Sequence, residues 1–430
     1  MTDWAAQETP SASATGTVTL VEGTSFCVCA RSGDIEHGGI HGIFFRDTRL
    51  VSRWELRVDG EPLEPLTVMP ADPFSATFLG RGRPRPGKAE SSLLVTRARY
   101  VGAGMREDIT VHNLSHEPTG LNLELRVDSD LCDLFDVKAG RIRARGDLSI
   151  TVEVDSLEIA VCLPGRQRGV RISANRALAG QGGLSFLIAV PARGTWRTTV
   201  LVQPVIDGEE VPPRFPPHCP TAHADPVRRL QIWEQEAPVV WTQHSGLAKA
   251  LERSRADLGS LRIFDEAHPD RPPSVAAGAP WFMTIFGRDS LISSLMTLPL
   301  DTSLALGTLW TLADLQGERI DSLNEEEPGK IMHELRSGVD SGVLHGTPRG
   351  AAYYGSVDAT PLFVIVLGEL RRWGLHEEQV KRLLPHADRA MEWIEQYGDL
   401  DGDGFVEYQR KTDRGLINQG WKDSYDGINF

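Results

Sequence analysis

Six prolines, at positions 212, 213, 216, 217, 220 and 226, punctuate the twenty residues after Ile206, among Gly, Glu and His. Each proline fixes φ and removes a backbone donor, so the stretch suits an extended connection better than a strand or helix. The chain changes period across it. From residue 17 to 206, Val, Leu, Thr and Arg alternate with period two, which reads as strands at 17–21, 26–30, 53–58, 93–101, 108–113 and 121–127. More follow at 141–145, 148–154, 158–163, 185–190 and 197–202. Asp59-Gly60 between two such runs is a hairpin turn signal. Many short strands at this spacing predict an antiparallel β-sandwich or barrel.

Beyond residue 226 the period is helical. Ser245 is the expected N-cap of a helix over 246–261, Asp301 of one over 304–315, and Ser356 opens one over 357–372. Residues 377–397 place Val380, Leu383, Leu384, Ala387, Ala390, Met391, Trp393 and Ile394 near one face, with Pro385 expected to kink the helix. The chain of 430 residues is about twice the size of one hydrophobic core. The expected division is a tail at 1–16, a β-sandwich at 17–206, a Pro-rich linker at 207–226 and a helical domain at 227–430. The helices are joined by long, polar, Gly-rich loops, and such loops are usually functional.

Composition excludes several classes. The net charge of -14 repels phosphate backbones, which argues against nucleic acid and leaves a neutral ligand such as a sugar compatible. Residues 1–16 are polar, and no stretch approaches the roughly 18 apolar residues of a membrane span, so a soluble cytoplasmic protein without a membrane partner is the simplest reading. Cys27, Cys29, Cys132, Cys162 and Cys219 are odd in number and without C-x-x-C spacing, which predicts buried free thiols rather than disulfides or zinc.

Some motifs are set aside. Residues 82–89 imitate a phosphate loop, but Ala89 replaces the magnesium-binding hydroxyl, and Pro84 and Pro86 remove needed donors. His333-Glu334 begins like a zinc-protease motif, yet Ser337 stands where the second His belongs. Asp399, Asp401, Asp403 and Gly404 copy half of a calcium loop, but position twelve is Arg410 instead of a bidentate Glu. No metal or other cofactor is expected.

What remains is a set of carboxylates, cations and aromatics at helix ends or in the following loops. It comprises Trp281, Arg288, Asp289, Lys330, Glu334, Arg336, Tyr353, Tyr354, Asp358, Glu407, Tyr408, Trp421, Lys422 and Asp423. Flat rings stack on the apolar faces of pyranoses, and carboxylates accept paired hydroxyls. Glycoside hydrolysis needs two carboxyl groups besides. Singly, each residue has an ordinary explanation: Asp289 as a helix cap, Glu334 and Arg336 as surface charges, Tyr353-Tyr354 as packing.

The segments 277–290, 329–336 and 354–363, extended by 399–408 and 420–424, resemble the bacterial glycogen-debranching amylo-α-1,6-glucosidase family. His41-Gly42-Ile43-Phe44-Phe45-Arg46-Asp47-Thr48-Arg49 resembles the β-rich domain that precedes the catalytic domain there. The resemblance implies a multidomain β + α fold: an N-terminal antiparallel β-sandwich followed by part of an (α/α)6 toroid. It further implies that Asp423 is the general acid, that Arg288 and Asp289 grip the terminal glucose, and that Glu334 and Asp358 help line that subsite. Trp281, Tyr354, Glu407 and Trp421 complete the expected binding set, and an α-glucan or small α-glucoside is the expected substrate.

Twelve helices need more chain than the roughly 200 residues after Pro226, so about half a toroid is expected, with exposed apolar helix faces and the catalytic base beyond Phe430. Asp423 is expected to stay protonated through burial and nearby carboxylates. Two other readings are a non-catalytic carbohydrate-binding or vestigial protein and an enzyme for another α-glucoside, such as trehalose.

Overall fold

The computed structural model describes residues 16–84, 90–142, 146–163, 166–337, 346–347, 350–412 and 415–423. The expected tail except Gly16, most of the phosphate-loop lookalike, residues 143–145 of the expected 141–145 strand and Ser424 lie outside these residues, and residues 141–142 are not in a strand. Among the described residues the chain divides into two compact units, one of residues 16–235 with 244–260, the other of residues 236–243 and 261–423.

The first unit is antiparallel β. A nine-stranded sheet runs in the order Leu148–Val152, Ser156–Leu163, Arg166–Ala174, Thr195–Ile206, Met105–Asn113, Leu93–Val101, Ser75–Arg81, Glu64–Pro70, with Glu209–Glu210 paired onto Thr195–Ile206. A five-stranded sheet follows the order Leu178–Gly180, Gly183–Val190, Thr119–Asp128, Arg53–Val58, Glu61–Pro62, and a four-stranded meander covers residues 17–51. Alternation drives the assembly: every second residue of Leu93–Val101 and of Arg53–Val58 is buried. Val95, Leu56, Ile109, Leu123, Ile172 and Val200 meet in one core shared by the sheets. Each fully buried aliphatic side chain of this kind contributes about 1.5–3 kcal/mol. Asp59 and Gly60 both have positive φ, 50° and 81°, the conformation of a two-residue hairpin, and Val58 pairs with Glu61 across them.

The inward register also carries charge. Arg97 and Arg99 face the core with Glu107 between them, and all three are at most 1% exposed. Glu107 accepts from Arg97 Nε and Arg99 Nε, each at 2.8 Å, and from Trp54 Nε1 at 3.2 Å. Asp34 takes the other end of Arg97, at 2.5 Å. Buried charges persist only when paired and hydrogen-bonded in this way.

Five-residue α1 (Leu134–Lys138) is capped by Asp133, whose side chain accepts from Phe135 N, and Leu134 N donates to Asp47 O of the meander at 2.8 Å. Two longer helices group by contact with the β unit: α2 (Asp225–Glu236) and α3 (Ser245–Ser260). Trp233 of α2 donates from Nε1 to Arg255 O of α3 at 2.8 Å, and Gly23 N donates to Ser260 O. The expected cap of α3 is shifted by one residue. His244 Nδ1, rather than Ser245, accepts from the first turn, at Leu247 N.

The thiols divide. Cys27, Cys29 and Cys132 are buried, but Cys162 is exposed and Cys219 half-buried. For Cys162 the expectation of burial fails because it lies on the outward face near the end of its strand, while the next residue, Leu163, packs against the core.

The second unit packs α4 (Gly287–Thr297), α5 (Thr302–Ala313), α6 (Ala359–Arg372) and α7 (Glu377–Trp393) around Leu291, Leu306, Leu309, Phe363, Val366 and Leu383. Asp301 caps α5 by accepting from Ser303 N at 2.7 Å. Asp358, not Ser356, stands at the N-cap position of α6, and Ser356 Oγ donates to its carboxylate. Helix α7 continues through Pro385 and then widens into a π-turn at Ile394–Gly398. A small sheet of Glu334–Arg336, Gly350–Tyr353 and Gly346–Thr347 lies in the same unit. Met296, Ile365 and Met391 expose apolar surface on these helices. Among the described residues, no helix is long and apolar enough to cross a membrane.

Candidate active site

The N-terminus of α4 is the organising point. Gly287 N donates to His333 O at 2.8 Å, and a Cβ on Gly287 would stand 2.1 Å from Met332 O and 2.7 Å from the Ala359 Cβ. Only glycine permits the chain before Glu334 and the start of α6 to approach so closely. That approach aims the next side chain, Arg288, across the start of α6.

Arg288 is 7% exposed. Its Nη1 donates to Asp358 Oδ2 at 3.0 Å and to Gly420 O at 2.9 Å, and its Nη2 to Asp423 Oδ2 at 2.5 Å. Burial opposes the guanidinium charge, but Asp358 and Asp423 outweigh it and raise the pKa above its ordinary value. One rigid, planar cation thus holds two carboxylates and a backbone carbonyl, which a lysine could not do with the same geometry. His333 Nε2 lies 3.7 Å from the same Asp423 oxygen.

The structure therefore brings together Arg288, Asp358 and Asp423. Asp289 lies beside them in the first turn of α4, where a carboxylate suits the helix dipole, and its side chain makes no hydrogen bond or ion pair among the described residues. Glu334 is one residue from His333, bridges in the backbone to Phe286, and has Arg336 Nη1 at 3.8 Å. The surroundings of Asp423 differ from the expected ones. Instead of burial among carboxylates, its neighbours are the donors Arg288 and His333, and a third of its side chain is exposed.

Two of the other expected binding residues, Tyr354 and Glu407, have their partners elsewhere. Tyr354 is buried and donates its hydroxyl to Leu315 O at 2.8 Å, so it acts as a strut in the helical core. Trp281 is 7% exposed, while Trp421 is 77% exposed and next to Gly420. Glu407 accepts from Leu400 N at 2.7 Å and gathers with Asp399, Asp401 and Asp403, their ligand atoms all within 4.8 Å of one another. Those aspartates accept from Gly402, Gly404, Asp403 and Phe405 N–H groups, so the turn satisfies its own carboxylates.

A supporting layer lies behind the site. Glu325, Glu326 and Glu327 are consecutive yet all buried. Glu325, with φ of 55°, accepts from Gln419 Nε2 and, at 3.4 Å, from Lys411 N. Burial pushes its carboxyl above the usual range, and Lys330 opposes the shift. Glu326 accepts from Glu318 N at 3.0 Å, and Glu327 from Trp393 Nε1 at 2.9 Å, with Lys330 Nζ at 3.5 Å. Burial lowers the pKa of Lys330, with Glu327 and Glu325 opposing. Gln419 O in turn accepts from Val357 N at 2.8 Å, beside Asp358. The loop 318–333 thus pins the segment that delivers Gly420 and Asp423. Three adjacent glutamates before Pro-Gly are the sequence signal for this layer, but such runs ordinarily read as solvated charge.

Residues 20–201, within the β unit, match the family described as the N-terminal domain of (some) glycogen debranching enzymes. The site residues lie outside that match. No curated protein matches the chain. Among solved structures, a heparan sulfate lyase HepC mutant from Pedobacter heparinus aligns with 44% of this chain and 35% of its own, at 8% identity and a TM-score of 0.19, a likeness too slight to bear on fold or chemistry. The β unit is thus similar to the N-terminal domain of glycogen debranching enzymes, and that likeness points to carbohydrate metabolism.

Proposed function

We propose that the protein is a cytoplasmic glycogen-debranching-type α-1,6-glucosidase, an inverting glycoside hydrolase whose helical unit belongs to an (α/α)6 toroid. The observation that carries the reading is the convergence of Asp358 and Asp423 on Arg288 at the N-terminus of α4, in a chain whose β unit matches the debranching family. A neutral hexosyl ring fits such a set, because its vicinal hydroxyls donate to carboxylates and accept from a guanidinium.

In this reading Asp423 protonates the glycosidic oxygen through Oδ1, the oxygen that neither Arg288 nor His333 engages. Arg288, Asp358, Asp289 and Glu334 orient the terminal glucose. A second carboxylate activates water across a gap of roughly 6.5–9.5 Å, the spacing of inverting glycosidases. With that second carboxylate supplied, glucose release from a phosphorylase limit dextrin, abolished by Asp423→Asn, is the expected result. Retained maltodextrin binding without release, in the wild type and in the variant alike, overturns the hydrolase and favours a carbohydrate-binding protein. The ion-paired, partly exposed state of Asp423 is the observation on that side.

A further inference from the structure

The backbone of His333 is clamped at both ends. Its N–H donates to Tyr353 O at 2.6 Å, and its carbonyl accepts from Gly287 N at 2.8 Å. Its ring is wedged edge-on between Phe286 and Tyr353, with centroids at 5.7 and 5.9 Å and interplanar angles of 79° and 86°. The residue is 4% exposed. One ring nitrogen, Nε2, faces Asp423 Oδ2 at 3.7 Å, while the other, Nδ1, is buried with no hydrogen-bond partner among the described residues.

Proton placement on that ring follows from elimination. A proton on Nδ1 would bury an unpaired donor and turn the Nε2 lone pair toward a carboxylate oxygen, two unfavourable terms together. A proton on Nε2 alone leaves only a bare acceptor buried, the lesser deficiency, and turns a donor toward Asp423. At 3.7 Å the contact exceeds hydrogen-bonding distance, so the ring supplies a fixed dipole aimed at Oδ2.

We propose that His333, with an Nε2–H turned toward Asp423, is a positioning residue for Asp423. With Arg288 it engages Oδ2 and thereby leaves Oδ1 as the oxygen presented to a sugar. The consequence for binding rests on the reading of this site as a glucosyl site, whereas the Nε2–H does not.

The test has two arms on the full chain. Long-range proton–nitrogen correlation on histidine-labelled protein is expected to show the His333 ring protonated at Nε2; a ring protonated at Nδ1 alone overturns the proposal. Acarbose affinity, measured by calorimetry, is then compared between His333→Gln, whose amide can stand in for Nε2, and His333→Asn, whose amide stands in for Nδ1. The Gln variant is expected to bind within about threefold of wild type and the Asn variant about tenfold more weakly, the size of one lost polar contact. Equal loss in both, with both folded by circular dichroism, overturns the positioning role. Failure of the wild type to bind acarbose, with the Nε2–H present, removes the glucosyl-site reading and leaves the arrangement of His333 and Asp423 supported.

Discussion

Arg288 Nη2 and Asp423 Oδ2 stand 2.5 Å apart although 135 residues separate them in the chain. The pair ties the start of α4 to the segment that follows Gly420. Because Asp358 shares the same guanidinium, a change at Arg288 strands two carboxylates at once. Arg288→Ala is expected to lower stability by about 1–3 kcal/mol, less than for a fully buried pair because both carboxylates are partly exposed. Arg288→Lys should recover part of that stability but not sugar affinity, since an ammonium cannot bridge both partners in one plane. Urea unfolding alongside acarbose calorimetry checks both; full affinity in the lysine variant would contradict the bridging role.

Asp423→Asn keeps the volume and one acceptor but removes the proton. On the proposed mechanism, glucose release should fall about 10²–10⁴-fold while affinity for maltooligosaccharide stays within a fewfold. Unchanged turnover would sink the assignment of the acid.

Asp289 has no side-chain partner among the described residues, so truncation there should be nearly silent for the fold. Asp289→Ala is expected to weaken acarbose binding by about tenfold with a small change in stability, one or two lost hydroxyl contacts being worth that much. An unaltered dissociation constant would remove Asp289 from the subsite.

Glu107 keeps two buried arginines compatible with the β core. Burial alone would raise its carboxyl, but Arg97 and Arg99 override that and hold it below the ordinary range. A depressed folded pKa means stability that is present above the unfolded carboxylate value and lost as pH falls through the folded one. Glu107→Gln should therefore cost about 3–5 kcal/mol near neutral pH and flatten the acid limb below about pH 4. Urea unfolding at several pH values reads both, and a neutral-pH loss under about 1 kcal/mol would contradict the account.

For Glu325 the sign is reversed. Burial raises its folded pKa, so the folded state binds the proton more tightly than the unfolded chain. Stability from this group is full below the ordinary glutamate value and declines as pH rises through the folded one. Glu325→Gln is expected to raise stability at neutral pH and to leave it unchanged near pH 4. A loss at neutral pH would show instead that the charged carboxylate is needed to hold Lys411 and Gln419.

Local alternation and turn chemistry made much of the β unit legible. The 93–101 run, the Asp59-Gly60 turn and the Asp301 cap are encoded within a few residues, where steric and hydrogen-bonding preferences act without knowledge of the rest of the fold. Arg288, Asp358 and Asp423 were legible as chemistry, since cations and carboxylates in long loops between helices suggest a polar site. Their meeting on one guanidinium was not, because the contact depends on Gly287 admitting Met332 and Ala359 to the start of α4. Tyr354 misled for the same reason: an aromatic beside polar residues looks like a sugar platform until Leu315 O claims its hydroxyl. Three consecutive glutamates read as solvent-facing charge, and only the tertiary arrangement supplies Gln419, Lys411 and Trp393 to bury them. The sequence by itself thus determined the periodicities, the turns and the inventory of reactive groups. The partners of Arg288, Asp423 and Glu325 were decided only by tertiary structure, because their desolvation and pairing depend on neighbours that lie tens of residues away along the chain.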